Sequence, residues 1–388
     1  MENVKAKTIS IKYLKNYFNI SLIIIFLALS YGPTAQAQPA PAVERSVFFA
    51  GGRYVGEAGK EVMQGAMYVE RLRPATVTRR YPIVLFHGAA QTSVNWLTTP
   101  DGRKGWAQFF VEQGHDVYIV DQPARGRSAW HPGIDGNLRN FPAPTIEMLF
   151  TNSAAAARWP QAARHTRWPG SGPMRGRMGD PIFDQFYASQ VEYLSSNAET
   201  QNLVREAGKA LLDRIGPAII LTHSQAGPFG WLLADARPDL VKGIIAVEPN
   251  APPIQASPVF GAARQLAWGP TDIAITYDPP VLDPSQLEVE QQAQPSRPDL
   301  VSCWRQKSPA RQLPRLKDIP IVILISEASY HAQYDHCLSE WLAQAGVRNE
   351  MVRLEDVGIH GNGHMMMLET NNLDIASWID NWIVKSVH

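Results

Sequence analysis

The sequence predicts an α/β fold built on a mostly parallel, doubly wound sheet. The chain has 388 residues, 45% of them hydrophobic and 19% charged, a composition typical of globular domains with a large core. From about residue 46 onward, strand-like and helix-like segments alternate. Most strand-like segments are short, continuous apolar runs, which are typical of strands buried on both faces of a parallel sheet. Because parallel strands need helical crossovers, this alternation favours a doubly wound sheet.

The individual elements follow from these patterns. The first two predicted strands, 46–50 and 66–72, are expected to pair antiparallel, with Gly51 and Gly52 supplying the turn after the first. The strands predicted after them cover residues 82–86, 116–120, 217–221, 241–247, 319–325 and 350–354. Helices are predicted between the strands at residues 105–113, 203–215, 229–236, 332–345 and 373–384.

Two segments interrupt the alternation, at about 129–200 and 251–318. Both are rich in Pro, Gly, Arg and Trp and are too long to be simple connections. Ligands of open α/β sheets bind at the carboxyl ends of the strands, where insertions of this kind lie. We therefore expect a lid or pocket wall on a single domain spanning 38–388, with disordered loops as the alternative for parts of 158–180. The insertion tryptophans would suit an aromatic pocket or pack within the lid; they are Trp130, Trp159, Trp168, Trp268 and Trp304.

The first 37 residues have the pattern of a secretory signal peptide. Four lysines precede an apolar run at 22–29, and Ala35-Gln36-Ala37 has the small residues that a signal peptidase accepts. The apolar run is shorter than the roughly 20 residues that a transmembrane helix needs. We expect cleavage after Ala37 and export to the periplasm or the medium, without membrane attachment afterwards. Cleavage removes four Lys and one Glu, so the balanced 36 basic and 36 acidic residues become 32 and 35.

Charge and cysteine content narrow the possible partners. With zero formal net charge, the chain lacks the basic excess that drives nonspecific nucleic-acid binding, and we expect no nucleic-acid partner. The two cysteines, Cys303 and Cys337, could pair in an oxidising compartment or remain two buried thiols. They lack metal-site spacing, and the sequence contains no CxxC or HExxH pattern. We therefore expect neither a metal nor an organic cofactor.

Residues 219–231, I-I-L-T-H-S-Q-A-G-P-F-G-W, carry the strongest chemical signal. An apolar strand leads directly into Ser224, and the small residues Ala226 and Gly227 precede a helix. This strand-turn-helix context is typical of a nucleophilic serine whose hydroxyl projects above the sheet, near a helix N-terminus. Thr222 and Ala226 stand where the pattern G-x-S-x-G has glycine, and a serine that only caps the helix is the alternative. The context favours the nucleophile.

A serine hydroxyl becomes a good nucleophile only when a base takes its proton, so a histidine must lie nearby. His360 and His364 both follow the last predicted strand, where this architecture places the base. We favour His364, because the apolar stretch after it can anchor it. His223, next to the serine, would point away from it on a tight turn and is interpreted as structural.

Two carboxylates could orient the histidine. Glu248 follows the predicted strand 241–247 directly and is held by Pro249, whereas Glu327 follows the strand 319–325. Either would hold the imidazole tautomer and stabilise the imidazolium formed during turnover. Spacing alone favours the two glutamates about equally as the acid, and the one that is not the acid would be an ordinary strand-end carboxylate.

Two backbone N–H donors are needed to stabilise the negative oxygen of a tetrahedral intermediate. The strand 82–86 ends at His87-Gly88-Ala89, where a donor loop belongs, and Gln225 follows the serine. Ala89 and Gln225 are therefore predicted to form the oxyanion hole. Without the serine, a plain turn would explain His87-Gly88 equally well.

These residues resemble the α/β-hydrolases, and more narrowly the bacterial serine esterases whose triad glutamate follows strand six. In that group the nucleophile stands in His-Ser-Gln and the acid lies 24 positions later, as Glu248 does after Ser224. The resemblance therefore implies Glu248 rather than Glu327, and a hydrolase fold with cap insertions. It extends over nearly the whole mature chain, through residues 48–54, 87–88, 99–106, 114–121, 125–128, 222–225 and 248.

Together, the residues and the resemblance lead to an exported carboxylic-ester hydrolase that works through an acyl-enzyme. Ser224 would attack the ester carbonyl, His364 would act as base, Glu248 would orient His364, and Ala89 and Gln225 would bind the oxyanion. The expected partner is a small-molecule ester, and a homodimer is left open. Amidase, lactonase or acyltransferase chemistry with the same triad would also fit these residues. A non-catalytic binding protein with this fold fits them less well.

Overall fold

A computed structural model describes residues 43–388 and contains a central eight-stranded sheet. The predicted signal peptide at 1–37 lies outside the described residues. The strands, numbered β1 to β8 along the chain, are Val43–Val55, Val62–Pro74, Ile83–Phe86, Val117–Asp121, Ala218–His223, Val241–Val247, Ile321–Ile325 and Glu350–Arg353. In the sheet they lie in the order β1-β2-β4-β3-β5-β6-β7-β8.

The predicted mostly parallel, doubly wound sheet is confirmed. Strands β3 to β8 pair parallel to one another, and only β1 and β2 run antiparallel to their neighbours. Every residue of β3, β4, β5 and β7 is buried, which explains their continuous apolar sequences. Consecutive residues such as Val84 and Leu85 belong to two different buried clusters, one on each face of the sheet.

Helices cover both faces. Within residues 43–388, the helices of seven residues or more, numbered α1 to α6, are Trp106–Glu112, Pro181–Ala188, Asn197–Ile215, Gly227–Ala236, Asp335–Gln344 and Asn372–Ser386. Shorter helices span Val94–Leu97, Ala143–Ile146 and Ser153–Ala156. Helices α3, α4 and α5 pack on one face, and α1 and α6 on the other. No helix in this part of the chain combines the length and the apolar character needed to cross a bilayer.

The predicted turn at Gly51 and Gly52 is wrong. Strand β1 continues through both glycines to Val55, and the hairpin turns over residues 56–61 instead. Both glycines have positive φ, at 68° and 86°. A Cβ on Gly51 would lie 2.7 Å from the Cα of Ala207, so this glycine lets α3 pack closely on the hairpin rather than reversing the chain.

The two insertions consist of short elements. In the first, Leu138–Arg139 pairs antiparallel with Tyr193–Leu194. In the second, Val289–Gln291 pairs antiparallel with Trp304–Gln306. Cys303 and Cys337 form a disulfide with their Cα atoms 5.1 Å apart, which joins the second insertion to α5. Of the two states that the sequence left open for these cysteines, the structure contains the disulfide.

Candidate active site

Ser224 lies where β5 meets the next helix. It adopts a positive φ of 55° and begins a single turn of 3₁₀ helix, Ser224–Ala226, that leads into α4. This conformation is strained for a residue with a side chain, and it is held by close packing around it. A Cβ on Gly88 would lie 2.9 Å from the Cβ of Ser224, and a Cβ on Gly227 would clash with Pro249. The two glycines therefore make room for the sharp turn.

Glu248 follows β6 and is completely buried, with a φ of 45°. One carboxylate oxygen accepts hydrogen bonds from the backbone N–H and the hydroxyl of Ser326, at 2.8 and 2.5 Å. The other accepts from the Ser329 hydroxyl at 2.7 Å and lies 2.6 Å from Nδ1 of His364. Burial raises the pKa of Glu248, whereas nearby His331 and the two serines lower it. These donors hold the carboxylate in one orientation.

His364 lies in the loop after β8, and its ring is buried. Because Nδ1 faces a carboxylate, Nδ1 carries the proton in the neutral ring and Nε2 is left as the acceptor. The ring is stacked on that of His331 at a centroid distance of 4.7 Å and on that of Phe150 at 5.1 Å. Burial lowers the pKa of His364 well below its ordinary value, and His331 acts in the same direction.

The partner of His364 Nε2 is Tyr330, a residue that the sequence patterns did not single out. The phenol oxygen lies 3.3 Å from Nε2, and within residues 43–388 Ser224 forms no direct hydrogen bond to His364. Burial raises the pKa of Tyr330 well above its ordinary value, and the nearby carboxylate of Glu248 acts in the same direction. The phenol therefore stays protonated beside the histidine. Its position shortly after β7 was the only sequence signal.

The other candidate acid and base, Glu327 and His360, lie apart from this pair, whereas His223 contacts the backbone of His364. Glu327 accepts a hydrogen bond from the Gly361 N–H at 2.9 Å and lies 3.4 Å from Nδ1 of His360, whose side chain is 58% exposed. His223 is buried, and its Nε2 lies 3.0 Å from the carbonyl oxygen of His364. The structure thus brings Glu248 and His364 together and places the Glu327 and His360 pair apart from them.

Ala89 and Gln225 flank Ser224 on the wall of a cavity of about 310 Å³. Ala89 has no acceptor for its backbone N–H within residues 43–388, and Gln225 lies in the first turn of a helix, where N–H groups lack intrahelical partners. Both insertions contribute aromatic walls to this cavity. These residues are Phe141, Phe150 and Tyr193 from the first insertion and Phe260 from the second.

None of the insertion tryptophans lines this cavity; Trp159 and Trp168 are instead buried in the core. The sequence allowed either placement. The lining aromatic rings are phenylalanine and tyrosine, and the charged residue among the lining side chains is Arg139.

Two clusters in the described part of the chain have ligand-type atoms within 4.8 Å of one another: Cys303, His336 and Cys337, and Glu248, His331 and His364. In the first, both sulfur atoms are used in the disulfide. In the second, Glu248 and His364 are bonded to each other. These donors are already engaged within the protein and do not fit a metal ion.

Comparison with known proteins identifies the family. The model of the Alpha/beta hydrolase family matches residues 83–378. A protein described as "Probable secreted lipase phiG", from Fungal sp. (strain ATCC 74256), is 46% identical over 342 residues, which cover 88% of this chain and 89% of that protein. A solved structure described as a novel bacterial esterase superposes with a TM-score of 0.58 at 23% identity, covering 92% of this chain and all of that one. The fold predicted from the resemblance is confirmed, and this chain belongs to the α/β-hydrolase family.

Proposed function

We propose that this α/β-hydrolase is an exported serine esterase that cleaves carboxylic esters through an acyl-enzyme. One observation carries the proposal: the buried carboxylate of Glu248 lies 2.6 Å from Nδ1 of His364, beside the cavity that Ser224 lines. Such a pair fixes the tautomer in which the second ring nitrogen is the acceptor and can take a proton. The relative described as a probable secreted lipase supports an ester as the substrate.

In the proposed reaction, Ser224 attacks the ester carbonyl while Nε2 of His364 takes its proton. The Ser224 hydroxyl replaces the Tyr330 phenol at Nε2 when it turns toward the ring. Glu248 stabilises the imidazolium, and the N–H groups of Ala89 and Gln225 stabilise the oxyanion. His364 then protonates the leaving alkoxide, and water hydrolyses the acyl-enzyme by the same route.

The cavity favours a compact acyl or alcohol group. Its volume of about 310 Å³ is at the small end of the range for ligand pockets, and its walls carry aromatic rings. We propose that the two insertions, at about 129–200 and 251–318, form these walls as parts of a single domain spanning 38–388. Short-chain and aryl esters should therefore be better substrates than long-chain ones.

We propose export with cleavage after Ala37. The signal-like sequence of residues 1–37, the disulfide and the description of the fungal relative as secreted support this. N-terminal sequencing of the exported protein should begin at Gln38. A protein retained in the cytoplasm with residue 1 intact would contradict export.

A panel of chromogenic substrates tests the proposed activity. We expect the purified mature protein to hydrolyse p-nitrophenyl acetate, butyrate and benzoate faster than the palmitate, with no turnover of the matching p-nitroanilides. Faster anilide cleavage would favour an amidase, and faster ring opening of a lactone would favour a lactonase. Acyl transfer to an added alcohol in preference to water would favour an acyltransferase. No turnover of any of these substrates would favour a binding protein.

The pH profile of kcat/KM tests the role of His364. The base must be neutral, and burial with the nearby His331 holds its pKa below the ordinary value of about 6.5. Activity should therefore persist on the acid side of neutrality and fall only as the pH drops through this lowered pKa. Steady-state kinetics between about pH 4 and pH 8, with circular dichroism to verify folding, measures it. An acid limb with its midpoint at or above about 6.5 would contradict the lowered pKa of His364. If no acid limb appears in this range, the loss of activity in His364→Ala alone would test its role as base.

A further inference from the structure

Arg125 is a buried cation that the proposed reaction does not yet use. It lies in the loop after β4 and is 3% exposed. Within residues 43–388 it forms no ion pair with a carboxylate, and its hydrogen-bond acceptors are neutral. Burying a charge without a counter-ion is costly, so packing alone does not account for an arginine at this position. The positions of its two acceptors provide one.

One nitrogen of the guanidinium contacts the first donor loop, His87-Gly88-Ala89, which carries the predicted oxyanion donor Ala89. Nη1 donates to the carbonyl oxygen of Gly88 at 2.9 Å. That carbonyl belongs to the same peptide unit as the N–H of Ala89, and in a trans peptide the two groups point in opposite directions. A hydrogen bond to the carbonyl therefore orients the N–H and also polarises it, which makes it a stronger donor.

The other terminal nitrogen contacts the second donor loop, the turn Ser224–Ala226, which carries the predicted donor Gln225. Nη2 donates to Oε1 of Gln225 at 3.1 Å, and the amide of Gln225 lies 3.4 Å from Oδ1 of Asn197. The side chain of Gln225 is therefore held from two directions, and with it the residue whose N–H is the second predicted donor. The guanidinium also lies 5.1 Å from the centre of the Tyr193 ring, which keeps it in place.

Arg125 remains a cation at neutral pH. Burial lowers its pKa to about 9, which still leaves the guanidinium protonated. Within residues 43–388 no carboxylate forms an ion pair with it, and in a buried site a charge acts over a longer range than in water. A negative oxygen forming between Ala89 and Gln225 would be stabilised by it.

We propose that Arg125 is the positioning residue of the oxyanion hole, since one guanidinium holds both donor loops and favours the negative charge that develops between them. This rests on the serine esterase function proposed above. Lysine cannot replace it fully, because an ammonium lacks the planar fork that holds two acceptors at fixed directions.

Arg127, two residues later, provides a matched control. Its guanidinium binds the carboxylates of Asp121 and Glu70, at 2.8 and 2.7 Å, and does not contact either donor loop. Arg127→Lys changes an arginine of the same loop whose contacts are structural. Its kcat should remain close to that of the wild type, whatever it does to thermal stability.

The test compares Arg125→Met, Arg125→Lys and Arg127→Lys on p-nitrophenyl acetate. We expect Arg125→Met to lower kcat by about 10² to 10³-fold with little change in KM, as for the loss of an oxyanion donor. In Arg125→Lys, kcat should fall about tenfold, since lysine keeps the positive charge but lacks the planar guanidinium that bonds two acceptors. The inhibition constant for an aryl trifluoromethyl ketone, which forms an oxyanion on the enzyme, should rise in parallel with the loss in kcat.

The proposal would be overturned if Arg125→Met had the same kcat and the same inhibition constant as the wild type. It would also be overturned if kcat fell in this variant while its inhibition constant for the ketone stayed unchanged. If Arg125→Met fails to fold, Arg125→Lys decides by the same two measurements, and wild-type values there overturn the proposal. Two other results test the proposed function separately: the wild-type protein should hydrolyse the ester, and Ser224→Ala should not. If either result is not obtained, the serine esterase proposal is wrong. If both are obtained and the Arg125 variants are unaffected, only the proposed role of Arg125 is wrong.

Discussion

Ser224→Ala is expected to lower kcat for p-nitrophenyl acetate by about 10⁶-fold, because it removes the hydroxyl on which the proposed acyl-enzyme forms. Residual turnover would come from binding and the oxyanion hole alone. The fold should be unchanged, since alanine tolerates the local backbone: Ala90 and Ala124 already adopt φ values of 58° in this structure. Steady-state kinetics with active-site titration measures the loss.

The matched control for this variant is Ser285→Ala, which removes the same hydroxyl from an exposed 3₁₀ turn of the second insertion. It should have wild-type kcat. Circular dichroism and a thermal melt of both variants separate loss of chemistry from loss of structure. A folded Ser224→Ala protein with wild-type kcat would exclude Ser224 as the nucleophile.

Glu248→Gln is expected to lower kcat by about 10⁴-fold, whereas Glu327→Gln should change it less than about threefold. An amide in place of the buried carboxylate neither accepts a charge-assisted hydrogen bond from Nδ1 nor stabilises the imidazolium. Glu327 is the natural control, since it lies after the neighbouring strand but contacts His360 and the Gly361 N–H instead. The same ester and conditions apply to both variants. A larger loss in Glu327→Gln would reverse the assignment of the acid.

The parallel strands could be predicted closely from the sequence. Strand β6 has the predicted bounds, and the other parallel strands differ from prediction by at most two residues at either end. Burial on both faces leaves a continuous apolar run, which is a local signal. Helix α3 was predicted from residue 203 but begins at Asn197, where Ser196 caps a polar first turn that has no apolar periodicity.

What local patterns could not reveal depends on contacts between distant segments. Gly51 marks the close approach of Ala207, and a glycine pair of this kind is locally indistinguishable from a turn. Arg125 stands in a stretch that resembles the esterases, yet its contacts with Gly88 and Gln225 span 37 and 100 residues. Tyr330 belongs to no motif. The positions of Ser224 and Glu248 at strand ends, and of His364 in the loop after the last strand, were predictable because the carboxyl ends of neighbouring parallel strands meet at one edge of the sheet.

Covalent labelling tests the central claim, an acyl-enzyme formed on Ser224, most directly. The purified mature protein is treated with a fluorophosphonate, digested and mapped by mass spectrometry, with Ser224→Ala treated in parallel. We predict one adduct per chain, on Ser224, with its formation matching the loss of esterase activity and with no adduct on the variant. An active enzyme that is labelled on another residue, or that loses activity without a label on Ser224, would contradict it.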